Sequence, residues 1–178
     1  IVGKGGFLED PSDMSPYLYS WRDGKQGGTP LVVFPKTTDQ VSQILAVCSK
    51  SDIPVVPQGG NTGLVAAAIP SKKGDELLIN LSKMNVIRHI SVEGFSITAE
   101  AGCLLQNIQH AVSQQNRFFP LSMSSEGSCQ IGGVVSTNAG GTRVLRYGNT
   151  RELVLGLEVV LPSGEIISDL KLLRKDNA

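Results

Sequence analysis

Three observations predict an α+β domain in two lobes. Short runs of β-forming residues recur along the chain, two amphipathic helical patterns separate them, and two glycine-rich stretches, Pro57 to Pro70 and Gly127 to Gly141, punctuate the alternation. Leu31 to Phe34 is the first apolar run. Thr37 and Gln40 then form a capping-box pattern, and Val41, Ile44, Leu45 and Cys48 follow at helical spacing, so residues 38 to 50 read as a helix lying on a sheet. Ile53 to Val56, bounded by prolines, is the next strand and runs directly into the first glycine stretch. Leu77 to Leu81, Val86 to Ser91 and Phe95 to Ala101 are further strands, with Val92-Glu93-Gly94 as a turn. Leu104, Leu105, Ile108, Ala111 and Val112 mark the second helix. Leu153 to Leu161 and Glu165 to Ser168 flank Pro162-Ser163-Gly164 as a hairpin. No internal repeat or low-complexity segment interrupts this order.

The 178 residues suffice for a core, since a domain near this size buries roughly 70% of its unfolded surface. Lysine plus arginine and aspartate plus glutamate number 16 each, which disfavours nucleic acid and anionic membranes as partners. The longest apolar run, Leu153 to Leu161, is broken by Gly156 and Glu158 and falls far short of the roughly 20 residues that a membrane span needs. Three cysteines, Cys48, Cys103 and Cys129, form no CxxC pair, and the expectation from them is a reducing, cytoplasmic compartment. The chain opens at Ile1 and closes at Arg174-Lys175-Asp176-Asn177-Ala178 without a cap signal, which reads as part of something longer.

The chemistry concentrates in the glycine stretches. PQGGNTGLVAAAIP, from Pro57 to Pro70, follows a strand and packs three glycines with a run of small residues, so its backbone can approach a ligand and turn several N–H groups toward one anion. It lacks the lysine of a phosphate-binding P-loop and the GxGxxG dinucleotide fingerprint. GSCQIGGVVSTNAGG, from Gly127 to Gly141, offers a second bare surface on which a ring system can lie flat, with Ser136, Thr137 and Asn138 as polar neighbours. Tight helix packing is its alternative reading. Two such surfaces point to a long, flat, phosphorylated ligand. His89 and His110 lack partners at metal-ligand spacing, so no metal site is expected, and no GxSxG or cysteine–histidine nucleophile is present. Arg143, Arg146 and Arg151 suit either a solvated face or a site beside a phosphate or acidic substrate. Trp21-Arg22-Asp23 suits either a ligand or an ion pair beside a packed indole.

In combination, TPLVVFPKTTDQVSQIL from Thr29, VVPQGGNTGLV from Val55, AGCLLQNI from Ala101, FPLSMSSEGSCQIGGVVSTNAGG from Phe119, RYGNTRELVLGLEVVLPSGEII from Arg146 and the closing LRKDNA resemble one family. It is the FAD-binding domain of the vanillyl-alcohol oxidase flavoprotein superfamily. Within it they resemble the FAD-linked D-2-hydroxy-acid dehydrogenase branch, which holds D-lactate and D-2-hydroxyglutarate dehydrogenases and the glycolate oxidase catalytic subunit. D-2-hydroxyglutarate dehydrogenase is the closest sub-branch. The resemblance implies that residues 1–178 are one FAD-binding domain without its C-terminal substrate domain, two-lobed, holding FAD. It places Pro57, Gly59, Gly60, Asn61, Thr62, Gly63 and Leu64 along the pyrophosphate. It places Pro120, Gly127, Ser128, Gly132, Gly133, Asn138, Gly140 and Gly141 along the ribityl chain and isoalloxazine ring, and Val160 near the adenine.

Asn61 stands where relatives with covalent flavin carry histidine, so noncovalent FAD is implied. Ala66-Ala67 replaces a glycine pair usual in the family. The implied reaction passes hydride from the α-carbon of a D-2-hydroxy acid to flavin N5. The catalytic base, any divalent metal and the substrate-binding arginines would come from the C-terminal domain, so no catalytic residue is expected in this chain, and the isolated fragment is expected to be inactive. The partners implied are a small-molecule 2-hydroxy acid and an electron acceptor. Two rivals stay open: an NADPH-oxidising flavin reductase of cell-wall precursor synthesis, and a non-catalytic flavin- or phosphate-binding module.

Overall fold

A computed structural model of the protein describes residues 1–170; the closing motif Leu173–Ala178 lies outside the described residues. The described chain forms two compact units, one of Ile1–Met84 with Val160–Ile166 and the other of Asn85–Val159 with residues 167–170.

The first unit is built on a four-stranded sheet in the order β1-β2-β4-β3, from β1 (Phe7–Leu8), β2 (Val32–Val33), β3 (Val55–Gln58) and β4 (Leu77–Asn80). β1 is antiparallel to β2, whereas β2, β4 and β3 run parallel. All four residues of β4 are buried, the burial expected of a central parallel strand covered on both faces. Because side chains alternate, Val32 and Leu78 join Met14, Leu18 and Phe34 in one cluster, while Val33, Leu77 and Ile79 join Ile44 and Cys48 in another. The first face is covered by α1 (Pro11–Met14) and a following 3-10 turn, whose Tyr17 meets Phe34 edge-on at 5.2 Å.

The other face is covered by α2 (Thr38–Lys50), the predicted helix, and its apolar stripe does bury Ile44 and Cys48. Thr37 Oγ1 accepts from Gln40 N at 3.2 Å, and Gln40 Oε1 accepts from Lys36 N at 2.7 Å, so the return arm of the box reaches one residue further back than the usual pattern. The Pro162-Ser163-Gly164 turn lies against this helix, where Ser42 donates its hydroxyl to the Gly164 carbonyl. The predicted strand, helix, strand unit is present. Its two strands are not neighbours, because β4 is inserted between them.

The second unit holds the antiparallel pair β5 (Ile87–Ser91) and β6 (Ser96–Ala99), then α3 (Leu105–Ser113), α4 (Ile131–Ser136), α5 (Val144–Tyr147) and α6 (Thr150–Leu153). β7 (Leu157–Val160) and β8 (Ile166–Asp169) pair as the expected hairpin, although α6 occupies the residues where the first strand was expected to begin. The core of this unit gathers Leu105, Leu121, Cys129 and Val134. Leu105 is fully buried, a burial that stabilises by roughly 1.5–3 kcal/mol. Arg88 of β5 reaches Glu100 at 3.2 Å and Glu158 of β7 at 3.3 Å, tying three segments by charge.

Candidate functional site

The first glycine stretch leaves the carboxyl end of β3, the end of a parallel sheet where ligands characteristically bind. Pro57 still pairs with Ile79 in the sheet, and from Gly59 onward the chain bends away. Gly59, Gly60, Asn61 and Thr62 are half-buried, and Gly63 and Leu64 are exposed. A Cβ built on Gly63 meets no atom within 4 Å, so open ground lies beside the backbone there. Asn61 adopts a left-handed φ of 51°, and its Nδ2 donates to Tyr19 O at 2.9 Å, so its side chain fastens the loop. Ala66 is also left-handed, at φ 53°, a conformation costing an alanine roughly 1–2 kcal/mol. That strain accounts physically for a glycine preference at this position.

The second stretch contains a helix that the sequence hides. α4 spans Ile131–Ser136 although it carries two glycines, and partners outside it hold its start: Ile131 N donates to Cys103 O and Gly132 N to Ala101 O, each at 2.8 Å. In return, Leu105 N donates to Cys129 O at 3.1 Å and Gln106 N to Glu126 O at 2.9 Å, stitching the starts of α3 and α4 together. The glycine pairs divide their work. A Cβ on Gly132 falls 2.7 Å from Ala101 Cβ, one on Gly140 falls 2.8 Å from Asn149 Oδ1, and one on Gly141 falls 2.2 Å from Ser122 O, so these three are packing glycines. Gly133 meets nothing within 4 Å and is exposed. Gly127 and Ser128 lie on an exposed turn, Pro120 is half-buried just before Leu121-Ser122, and Val160 ends β7 half-buried.

The three polar neighbours are engaged locally. Ser136 Oγ and Thr137 Oγ1 donate back to Gly132 O and Gly133 O, while Asn138, at φ 47°, accepts Arg151 N at 2.9 Å.

Arg143 stacks over Phe118 at 4.7 Å and Arg146 over Tyr147 at 5.5 Å, leaving the edges of both guanidiniums available as donors. Arg143 also borders a cleft of about 400 Å³ lined with Gln109, His110, Arg117, Phe118 and Glu126. Of the residues that the sequence offered for a ligand only Arg143 lines it, and none of those assigned to FAD does. The cleft was missed because its lining comes from α3, the Arg117–Glu126 segment and Arg143, which no local pattern joins. In the first unit, Asp23 pairs with Lys25 at 3.3 Å and Trp21 is exposed, so of the two readings of Trp21-Arg22-Asp23 the ion pair beside a packed indole is not the one seen. His110 meets Gln114 at 2.9 Å on α3, and His89 lies in β5. Among the described residues no group of three His, Cys, Asp or Glu is placed to hold a metal, and no helix is long and apolar enough to cross a membrane. Cys48, Cys103 and Cys129 are buried and unpaired, and burial pushes all three thiols up, which keeps them protonated and inert.

A small-residue loop at the carboxyl end of a parallel sheet is backbone that can receive a phosphate group. The open ground beside Gly63 in the first unit, and beside Gly133 in the second, leaves room for a ligand at each. Residues 29–169 match the FAD binding domain family, and the chain belongs to it. FAD is its cofactor.

The chain is 44% identical to D-2-hydroxyglutarate dehydrogenase, mitochondrial, of Danio rerio, over 97% of this chain and 32% of that protein. It is 42% identical to a Schizosaccharomyces pombe protein whose name assigns it, provisionally, as a mitochondrial D-lactate dehydrogenase, over 99% of this chain and 35% of that one. The chain therefore spans about a third of the length of these curated relatives. Among solved structures, alkyldihydroxyacetonephosphate synthase superposes with a TM-score of 0.84 at 17% identity, over 97% of this chain and 33% of that one, and so shares the mixed α+β fold. The mitochondrial names overturn the expected cytoplasmic location. Unpaired cysteines report a compartment that keeps thiols reduced, and their number carries no address.

Proposed function

We propose that this chain is the FAD-binding domain, across residues 1–178, of a mitochondrial dehydrogenase that oxidises a D-2-hydroxy acid, with D-2-hydroxyglutarate the foremost substrate, to the 2-oxo acid. The observation that carries this reading is the 44% identity to the Danio rerio enzyme over nearly the whole chain, with the glycine loop at the carboxyl end of β3. Bound FAD supplies the hydride acceptor for the substrate's α-carbon. The chain's own part is to hold and orient. Backbone N–H groups of Gly59 to Leu64 take the pyrophosphate, and the bare face at Gly133 takes the ring. Pro57, Pro120, Gly127, Ser128, Asn138 and Val160 border the ligand, while Gly132, Gly140 and Gly141 let the surrounding backbone close up behind it. Asn61 leaves the loop without a histidine or cysteine to attach the flavin, and noncovalent binding follows.

The test is anaerobic mixing of the flavin-loaded full-length protein with D-2-hydroxyglutarate, D-lactate or NADPH. The hydroxy acids are expected to bleach the flavin, D-2-hydroxyglutarate fastest, and acid precipitation of the same sample to leave the colour in the supernatant. Bleaching by NADPH alone would favour a flavin reductase, and a coloured pellet would overturn noncovalent binding.

A further inference from the structure

A loop built on three glycines and a run of alanines has many conformations to lose, so something outside it must fix its shape before a ligand arrives. The structure offers a buried polar group for that task, with a second beside it. Gln58, the last residue of β3, is 2% exposed, an unusual place for an amide unless all its bonds are made. Its Nε2 donates to Ala68 O at 2.9 Å and to Tyr17 O at 2.8 Å, and its Oε1 accepts from Asn80 Nδ2 at 3.0 Å. Asn80 sits opposite Gln58 in the parallel register, and its own Nδ2 also reaches Gly59 O at 3.4 Å. Asn80 Oδ1 is held by Ser82 N at 3.0 Å, which sets the orientation of the amide. The pair thus grips the glycine loop at its first residue, Gly59, and near its last, Ala68. It also grips the Tyr17 turn, two residues before the carbonyl that receives Asn61. An apolar side chain could fill the same strand end. A fully bonded buried amide adds specification of a single arrangement.

We propose that Gln58, supported by Asn80, is a positioning residue that pre-forms the Gly59–Ala68 loop for the flavin pyrophosphate. This rests on the reading that the loop is the pyrophosphate site. Gln58→Met keeps the length and apolar volume of the side chain and removes all three bonds. In the full chain it is expected to weaken FAD binding at least about tenfold, and hydrogen exchange of the loop amides in flavin-free protein is expected to accelerate while β4 amides stay protected. Asn80→Ser, which removes one arm of the clamp, is expected to give a smaller loss in the same direction and serves if Gln58→Met does not fold.

Unchanged FAD affinity in a folded variant, or faster exchange in β4 and the loop alike, would overturn the proposal, the second outcome marking Gln58 as a general structural residue. Failure here is separable from failure of the site assignment. If Gly60→Val loses flavin while Gln58→Met does not, only the clamp falls; if Gly60→Val retains flavin, the loop is not the pyrophosphate site.

Discussion

Gly60→Val is expected to empty the flavin site while the far-ultraviolet dichroism of the fold persists. Gly60 is half-buried in the bend that follows β3, where the backbone turns out of the sheet. On the proposed assignment, branched carbons there would displace pyrophosphate oxygens from N–H donors, and each hydrogen bond to a charged group contributes roughly 1.5–3 kcal/mol. Losing two of them weakens binding by about two to four orders of magnitude. Flavin content of the purified variant, read beside its dichroism, checks this, and normal flavin content would make the loop a structural turn.

Gly141→Ala and Gly133→Ala are expected to fail in opposite ways. A methyl at residue 141 falls 2.2 Å from the Ser122 carbonyl oxygen, which already accepts Thr142 N at 3.0 Å, so backbone on both sides must shift. Overpacking of this kind costs about 3 kcal/mol at the upper end of its usual range. In a domain of this size that lowers the melting temperature by roughly 6–12 °C. At residue 133 the methyl meets no protein atom, and replacing a helical glycine with alanine stabilises by about 0.5–1 kcal/mol. Gly133→Ala is therefore expected to melt no lower than the parent yet to lose flavin affinity, because its methyl stands where the ring is proposed to lie. Thermal melts and flavin titrations of the two variants separate packing from binding. A Gly133→Ala protein with parental affinity would remove that residue from the site.

The strand, helix, strand unit leading to the loop was legible because it is local. Thr37 and Gln40 announce the start of α2, and Ile44 and Cys48 are the buried positions of its periodic stripe. The insertion of β4 between β2 and β3 was not legible, since parallel neighbours are chosen by packing over long sequence separations and leave no mark on either strand. α4 was obscured for another reason. Gly132 and Gly133 are poor helix formers, and the helix exists because the Ala101 and Cys103 carbonyls, some thirty residues earlier, receive its first N–H groups. The second glycine stretch accordingly shows the close packing that one of its readings allowed, at Gly132, Gly140 and Gly141, and leaves exposed backbone at Gly133. Buried partners such as Gln58 and Asn80 sit in register only once the sheet is known, and no spacing rule would pair them.

The central claim, that the Gly59–Leu64 backbone holds the pyrophosphate of FAD, is tested most directly by comparing the affinities of the flavin-free full chain for FAD and for riboflavin, which has the same ring without phosphates. FAD is expected to bind at least about a hundredfold more tightly, as two or more charge-assisted bonds require, with Gly60→Val erasing most of the difference. Equal affinities for the two flavins would contradict the claim.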